Sequence, residues 1–305
     1  VTLAVSSWTD SQIVLQGFSG QYGNYKWTIR NGDLLEFQIW NAVTGAGPTV
    51  CAVTVGQFGS QSCGPVVSTN GIVPVFSSST TIQPGSWVSI YGANFAGSTT
   101  VWNGNFPTSL GGVTVTINGK AAYLYFVSPT QINLQAPSDT AAGNVEVVVT
   151  TPSGTVTSTV TLAQVGPSFS LLDSKHVAGI ILRANGSGAY GGGSYDIIGP
   201  TGTSLGYATV AAKAGDTIEL FGVGFGPTSP AVPAGQVFSG AAPTTYPVTL
   251  FINNAVVVPT FAGLSSAGLY QINLTVPTGL GAGDVSLQAM VGGARTPTGV
   301  VISVQ

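Results

Sequence analysis

Gln131-Ile132-Asn133-Leu134-Gln135 returns as Gln271-Ile272-Asn273-Leu274-Thr275 and, with Val in place of Asn, as Gln12-Ile13-Val14-Leu15-Gln16. The copies lie 119 and 140 residues apart, the length of a two-sheet β domain rather than of a solenoid turn. A repeat that carried one binding chemistry would repeat polar, titratable residues. What repeats here is apolar strand and glycine turn, so the pattern speaks first about architecture.

Outward from this motif, the second and third copies align along their length. Pro84-Gly85-Ser86-Trp87-Val88-Ser89-Ile90-Tyr91-Gly92-Ala93-Asn94-Phe95 matches Ala214-Gly215-Asp216-Thr217-Ile218-Glu219-Leu220-Phe221-Gly222-Val223-Gly224-Phe225, and Ala142-Gly143-Asn144-Val145 matches Ala282-Gly283-Asp284-Val285. The first copy has counterparts only for the later part: Gly32 to Phe37 for Gly143 to Val148, and Cys51 to Val55 for Thr159 to Ala163. Nothing in it corresponds to Ile72 through Gly119.

Composition agrees with a row of β modules. Of 305 residues only 17 are charged, while 43 are Gly and 18 are Pro, against a usual charged share of about a quarter. Alternation is explicit in Val113-Thr114-Val115-Thr116-Ile117, in Thr159 to Leu162 and in Val300 to Val304, which predicts half-buried antiparallel strands. Amphipathic helix patterns free of Gly and Pro are missing. With a net charge of −3 and seven basic residues scattered singly, no stripe is available to neutralise a phosphate backbone, which excludes nucleic acid. No apolar run reaches the ~18 residues that span a bilayer. The Ser/Thr/Gly-rich, charge-poor surface and the two cysteines point to an extracellular or cell-surface protein. Cys51 and Cys63 flank Gly56 and Gly59 and are expected to form one disulfide, worth roughly 2–3 kcal/mol by loop-closure entropy.

Gly92-Ala93-Asn94-Phe95, Ser109-Leu110-Gly111-Gly112 through Asn118-Gly119, Tyr125-Phe126-Val127-Ser128-Pro129-Thr130-Gln131-Ile132-Asn133, Gly224-Phe225-Gly226-Pro227 and Val301 to Gln305 resemble the C-terminal region of large secreted bacterial proteins built from immunoglobulin-like IPT/TIG modules. Ser7-Trp8-Thr9-Asp10-Ser11-Gln12-Ile13-Val14, Gly32-Asp33 and Trp40-Asn41 resemble the back half of such a module. The resemblance implies an all-β chain of tandem immunoglobulin-like sandwiches, the first incomplete. The expected division is 1–66 (partial module plus linker), 67–165, and 166–305 with a Gly-rich insertion. Pro/Gly joints are expected from Gly64 to Pro74 and at Val165-Gly166-Pro167. Modules of this type serve as spacers, stalks, enzyme appendages and receptor ectodomains, so function rests on a site.

Candidate sites are sparse. His176 stands beside Asp173, Ser174 and Lys175, but neighbours in sequence do not make a triad, and an exposed turn residue is the expected reading. Asp173, Asp196 and Asp216 are too scattered for a glycosidase pair and suit backbone-bonding turns. Gly222 to Gly226 lacks the following helix of a phosphate loop and is expected to be a turn or bulge. The glycine-rich stretch around Tyr190, Tyr195 and Asp196 offers too few carboxylates for calcium. No cofactor or metal is expected. Trp102, Tyr190 and Tyr195, aromatics in polar loops, are the candidate carbohydrate contacts, while Trp8, Trp40 and Trp87 read as core or rim.

Four strands of the first module (Leu3 to Val5, Gln12 to Gln16, Leu34 to Trp40, Val50 to Val55) do not close a seven-stranded sandwich. Leu3, Val5, Ile13, Leu15, Leu35, Phe37 and Ile39 would then face outward as an apolar surface. Upstream strands, a smaller sheet packed on the second module, or strands of a neighbouring subunit would cover it. The last arrangement is head-to-tail and builds a filament. The expected function is a non-enzymatic extracellular structural protein, a fibre or stalk subunit completed by strand sharing. The alternative is a carbohydrate-binding or adhesive module of a secreted enzyme, with polysaccharide as partner.

Overall fold

The computed structural model describes residues 2–8, 13–19, 30–40, 49–56, 64–77, 79–185, 188 and 193–305. The chain forms two compact units, Val1–Cys63 and Gly64–Gln305. Among the described residues every regular element is a strand or an isolated bridge, as the charge-poor, β-branched composition predicts.

In the first unit Thr2–Trp8 pairs with Ile13–Ser19 and Leu34–Ile39 with Thr49–Thr54, both antiparallel. The first hairpin reproduces the Tyr123–Val127/Gln131–Gln135 hairpin in register. Trp8 faces Ile13 as Val127 faces Ile132, Val5 faces Leu15 as Leu124 faces Leu134, and a bulge separates the two pairs in each hairpin. Burial differs: Leu124 is fully buried whereas Val5 is 40% exposed. Leu35, Phe37 and Ile39 alternate half-buried with exposed neighbours, and Ile13 and Leu15 are half-buried as well. Trp8 and Trp40 are exposed, not core, because each stands at a hairpin end. Cys51 is buried opposite Phe37; Cys63 lies outside the described residues, and their bridge is a proposal.

The second unit holds two sandwiches. In the first, Val66–Pro74, Trp87–Ala93, Gln131–Gln135, Tyr123–Val127 and Thr100–Val101 form one sheet in that order. The other runs Lys120–Ala121, Val113–Ile117, Gly143–Thr151, Gly154–Leu162 and Thr81–Ile82. Their inner faces meet through Ile90, Ile132 and Leu134 on one side and Val115, Ile117 and Val147 on the other. The expected alternation in Val113–Ile117 appears as buried Val113, Val115 and Ile117. The next sandwich repeats the plan, with Gly179–Leu182, Thr217–Val223, Leu269–Thr275 and Phe261–Ser266 consecutive in one sheet, and Val248–Ile252 and Gly283–Val291 central to the other.

The repeated motif now has a physical reading. Ile132 and Ile272 enter the cores, while outside, Gln131 donates from Nε2 to Asn133 Oδ1 at 2.8 Å and Gln271 to Asn273 at 2.9 Å. Each motif strand pairs with the strand that carries the repeated glycine: Gln131 faces Tyr91, and Gln271 faces Phe221. Gly92 and Gly222 lie so close to a neighbouring backbone carbonyl (Val66 O, Ser168 O) and to the Phe95 and Phe225 rings that a Cβ would collide with both. Their absent side chains let each phenylalanine lie buried against its own strand.

One sequence expectation changes. The stretch from Gly64 to Pro74, expected as a joint, is mostly strand: Val66–Pro74 pairs with Trp87–Ala93. Ile72 and Val73 drive it into the core, and a bulge between Val67 and Ile72 takes up Asn70. The Val165-Gly166-Pro167 connection is packed as well, with Gly166 N donating to Gly224 O at 3.0 Å.

Candidate functional site

The two sandwiches of the second unit enclose a cleft of about 870 Å³, within the usual size of a ligand site. It forms on the outer face of the Trp87–Ala93 sheet. Val88 and Ile90 point into the core, and Trp87 and Asn133, out of phase with their inward neighbours, line the cleft. Tyr125 follows the inward Leu124 and lines the cleft too, and a bulge between Leu124 and Phe126 resets the alternation so that Val127 turns back into the core. Trp102, just beyond the Thr100–Val101 edge strand, is fixed by its amide on Tyr125 O at 3.0 Å.

These aromatics pack edge to face. Trp102 stands 4.5 Å from Phe106, 5.5 Å from Tyr125 and 5.8 Å from Trp87, at interplanar angles of 79°, 88° and 86°, the arrangement that aromatic quadrupoles favour. The opposite wall comes from the other sandwich: Leu171, Phe221, Leu269 and the Val237-Phe238 pair. The walls are tied together. Trp87 Nε1 donates to Ala267 O at 2.7 Å, Gly235 N to Gln135 Oε1 at 2.9 Å and Ala234 N to Ser138 Oγ at 3.1 Å. Gly268 sits against Gly85 O and the Trp87 indole, a closeness that its positive φ of 68° and missing side chain permit.

No acid, base or cysteine lines the cleft. Its polar side chains include Asn133, Ser170 and Ser266. Asn133 Oδ1 already accepts from Ser89 Oγ at 2.9 Å and from Gln131 Nε2. A hydrogen bond from Asn133 to a ligand is therefore donated by Nδ2. The arrangement can hold a neutral molecule by apolar contact and a few oriented hydrogen bonds. It offers no proton-transfer pair.

Of the three aromatics named from sequence, Trp102 lies in this cleft. Tyr195 does not: it is on Tyr195–Ile197, opposite Leu182, and 41% exposed. Tyr190 is outside the described residues. Trp87, expected as core or rim, is a cleft residue. Sequence reasoning missed Phe76, Phe106 and Tyr125; for Trp87 the phase against Val88 and Ile90 was a usable signal.

His176 is buried, not the exposed turn residue expected. Its Nδ1 is 2.8 Å from Asp173 Oδ2 and its Nε2 is 3.0 Å from Asp284 Oδ2. Asp284 also accepts from Lys175 Nζ at 2.7 Å and from Ser303 Oγ at 2.8 Å. The serine bonds the carboxylate and not the imidazole, so the cluster has no activated nucleophile. It pins the 173–176 turn to the strands Gly283–Val291 and Val301–Val304, which carry Asp284 and Ser303. Arg183 likewise joins Asp196, at 2.8 Å, to Asp216, at 3.2 Å. Gly222 and Val223 close the strand Thr217–Val223 instead of opening a turn, and Gly224 and Gly226 just beyond it have positive φ. Among the described residues no cluster of three or more His, Cys, Asp or Glu is placed to hold a metal ion.

No curated protein matches the sequence. Among solved structures, SGBP-B of the Bacteroides ovatus mixed-linkage glucan utilization locus, bound to a mixed-linkage heptasaccharide, aligns over 100% of this chain and 60% of its own, with 14% identity and a TM-score of 0.32. SGBP-B from a complex xyloglucan utilization locus in Bacteroides uniformis aligns over 78% of this chain and 49% of its own, with 14% identity and a TM-score of 0.22. Titin domains z1z2, in complex with telethonin, align over 81% and 98%, with 12% identity and a TM-score of 0.19. The chain thus spans less than two thirds of the length of either SGBP-B. The IPT/TIG domain family matches residues 68–163, the span occupied by the first complete sandwich with its two facing sheets, and this part of the chain is an IPT/TIG domain.

Proposed function

We propose that this chain is a non-catalytic binding module, acting at the cell surface or outside the cell, that holds a neutral polysaccharide in the aromatic cleft. One observation carries the reading: Trp102, Trp87, Tyr125 and Phe106 gather on one wall of an uncharged cavity. The C–H faces of a sugar ring bind aromatic surfaces, and its hydroxyls take single amide and hydroxyl partners such as Asn133, Ser170 and Ser266. The lack of lining carboxylates argues against glycoside hydrolysis, which needs a facing pair. Scarce charge over the whole chain fits an exported protein. In affinity electrophoresis through gels containing neutral glucans, we expect the wild-type chain to be retarded. Trp102→Ala should weaken retention roughly tenfold, ~1.4 kcal/mol. Equal mobility of both proteins in every neutral glucan would sink the reading.

A second reading, head-to-tail assembly through the first unit, is favoured by its exposed apolar residues. Val5, Trp8, Leu34 and Trp40 are 40%, 65%, 73% and 51% exposed, and each hairpin has only two strands among the described residues, leaving backbone edges for strand addition. Sedimentation velocity over a hundredfold range of concentration tests it: a rising coefficient that Trp8→Ser with Leu34→Ser abolishes supports assembly, and a constant coefficient removes it.

A further inference from the structure

Seven non-glycine residues among those described have a left-handed backbone, and five of them are asparagines, the residue type that tolerates it. The other two are Phe76, with φ 58°, and Phe106, with φ 48°. Both line the cleft. A bulky side chain at positive φ is strained, and such outliers gather at sites where the side chain is needed in one place. Phe106 has an internal reason for its position, 4.5 Å from Trp102 and 6.3 Å from Trp87. Phe76 differs: its side chain is 69% exposed.

The turn that carries Phe76 is held in place. Ser77 N donates to Pro74 O at 3.1 Å, and Ser168 Oγ donates to Ser77 Oγ at 2.6 Å, tying the turn to the neighbouring sandwich. The opposite wall of the cleft carries Val237, 77% exposed. It follows directly on the segment whose Ala234 and Gly235 amides are anchored on Ser138 and Gln135. Two uncovered apolar side chains, one from each sandwich and each on an anchored segment, therefore border one cavity. Folding alone gives no reason for a strained and uncovered Phe76.

We propose that Phe76 and Val237 are ligand-contacting, specificity-determining residues that grip a bound neutral glycan from the two sides of the cleft. This rests on the glycan reading of the cleft. Binding of a neutral β-glucan oligosaccharide and of the uncharged apolar dye Nile red is measured for the wild type, Phe76→Asn and Val237→Ser, together with thermal melting. Asparagine keeps the left-handed turn. Phe76→Asn should therefore melt at the same temperature or ~2–4 °C higher, while its oligosaccharide affinity falls roughly tenfold and that of Val237→Ser several-fold. Phe76→Asn binding the oligosaccharide within twofold of wild type overturns the proposal, as does a fall in melting temperature that accounts for the lost binding. If the wild type binds no oligosaccharide, the glycan reading fails separately, and the dye decides. Dye binding lost in Phe76→Asn keeps the two residues as a grip for an apolar ligand, and unchanged dye binding discards them.

Discussion

Phe225→Ala is expected to lower the stability of the second unit by about 4 kcal/mol, the scale of truncating a buried phenylalanine. The ring is fully buried, 5.8 Å from both Phe169 and Tyr270, in the core of the last sandwich. Gly222 lies directly beneath it and has no side chain with which to refill the space. Tyr270 is poorly placed to move in, since its hydroxyl donates to Gly226 O, and burial keeps that phenol protonated far above its ordinary range. The cavity should persist, which is the condition for the upper part of the cost. Calorimetry should show melting lowered by roughly 8–16 °C for a body of this size. Phe95→Ala, the same position in the IPT/TIG domain and equally buried, should match it. A loss below about 1 kcal/mol at either site would contradict the packing role given to the glycine–phenylalanine pair.

Acid should loosen the same sandwich through Asp173 and Asp284. Lys175, then Ser303 and His176, hold the Asp284 carboxyl down to about 2 against the opposing effect of burial. For Asp173 partial burial pushes upward, and the backbone N–H groups of His176 and Lys175 together with the His176 ring outweigh it, again giving about 2. Both values lie below the ordinary 3.8. The folded state thus binds these protons less readily than the unfolded one, so the stabilisation is complete above about pH 4 and is lost as pH falls toward 2. Both side chains are partly exposed, at 36% and 28%, and screening leaves roughly 1–2 kcal/mol for the pair. Asp284→Asn should cost about 2 kcal/mol at pH 7, because it strips buried His176 and Lys175 of a charged acceptor. It should also flatten the decline in denaturation midpoint between pH 4 and pH 2. An unchanged pH profile in Asp284→Asn would remove the cluster as the source of acid sensitivity.

Most of the architecture was written in short periods. Ile132 and Leu134 inward with Gln131 and Asn133 outward, and the alternation of Val113 to Ile117, place the strands and their buried faces without tertiary information. The hairpin of the first unit even keeps the register of its counterpart. Reading the stretch up to Pro74 as a joint went wrong because Gly and Pro mark bulges in edge strands as well as linkers. His176 was misjudged for another reason: its second partner, Asp284, is 108 residues away, and burial follows from that pairing.

The cleft was legible only in part. Trp102 stood out as an aromatic in a polar loop, and Trp87 could have been placed by its phase. Tyr125 stands in a strand whose alternation is broken by a bulge, and Phe76 and Phe106 depend on left-handed backbone that no periodicity announces. The facing wall comes from a second sandwich whose docking is encoded in single contacts such as Gly268 on Gly85, not in any repeating pattern.

The strand Val301–Val304 is gripped along both edges. On one side it pairs antiparallel with Gly283–Ser286; on the other, Val177 N donates to Val301 O, Ala212 N to Ser303 O and Gln305 N to Ala212 O, at 2.9–3.0 Å. The antiparallel row lies across the strand direction, and the row of parallel bridges is slanted to it. A pull along the strand must therefore strain both rows at the same moment instead of parting them one after another. Under the glycan-holding function proposed above, a load that reached this strand would meet both rows together.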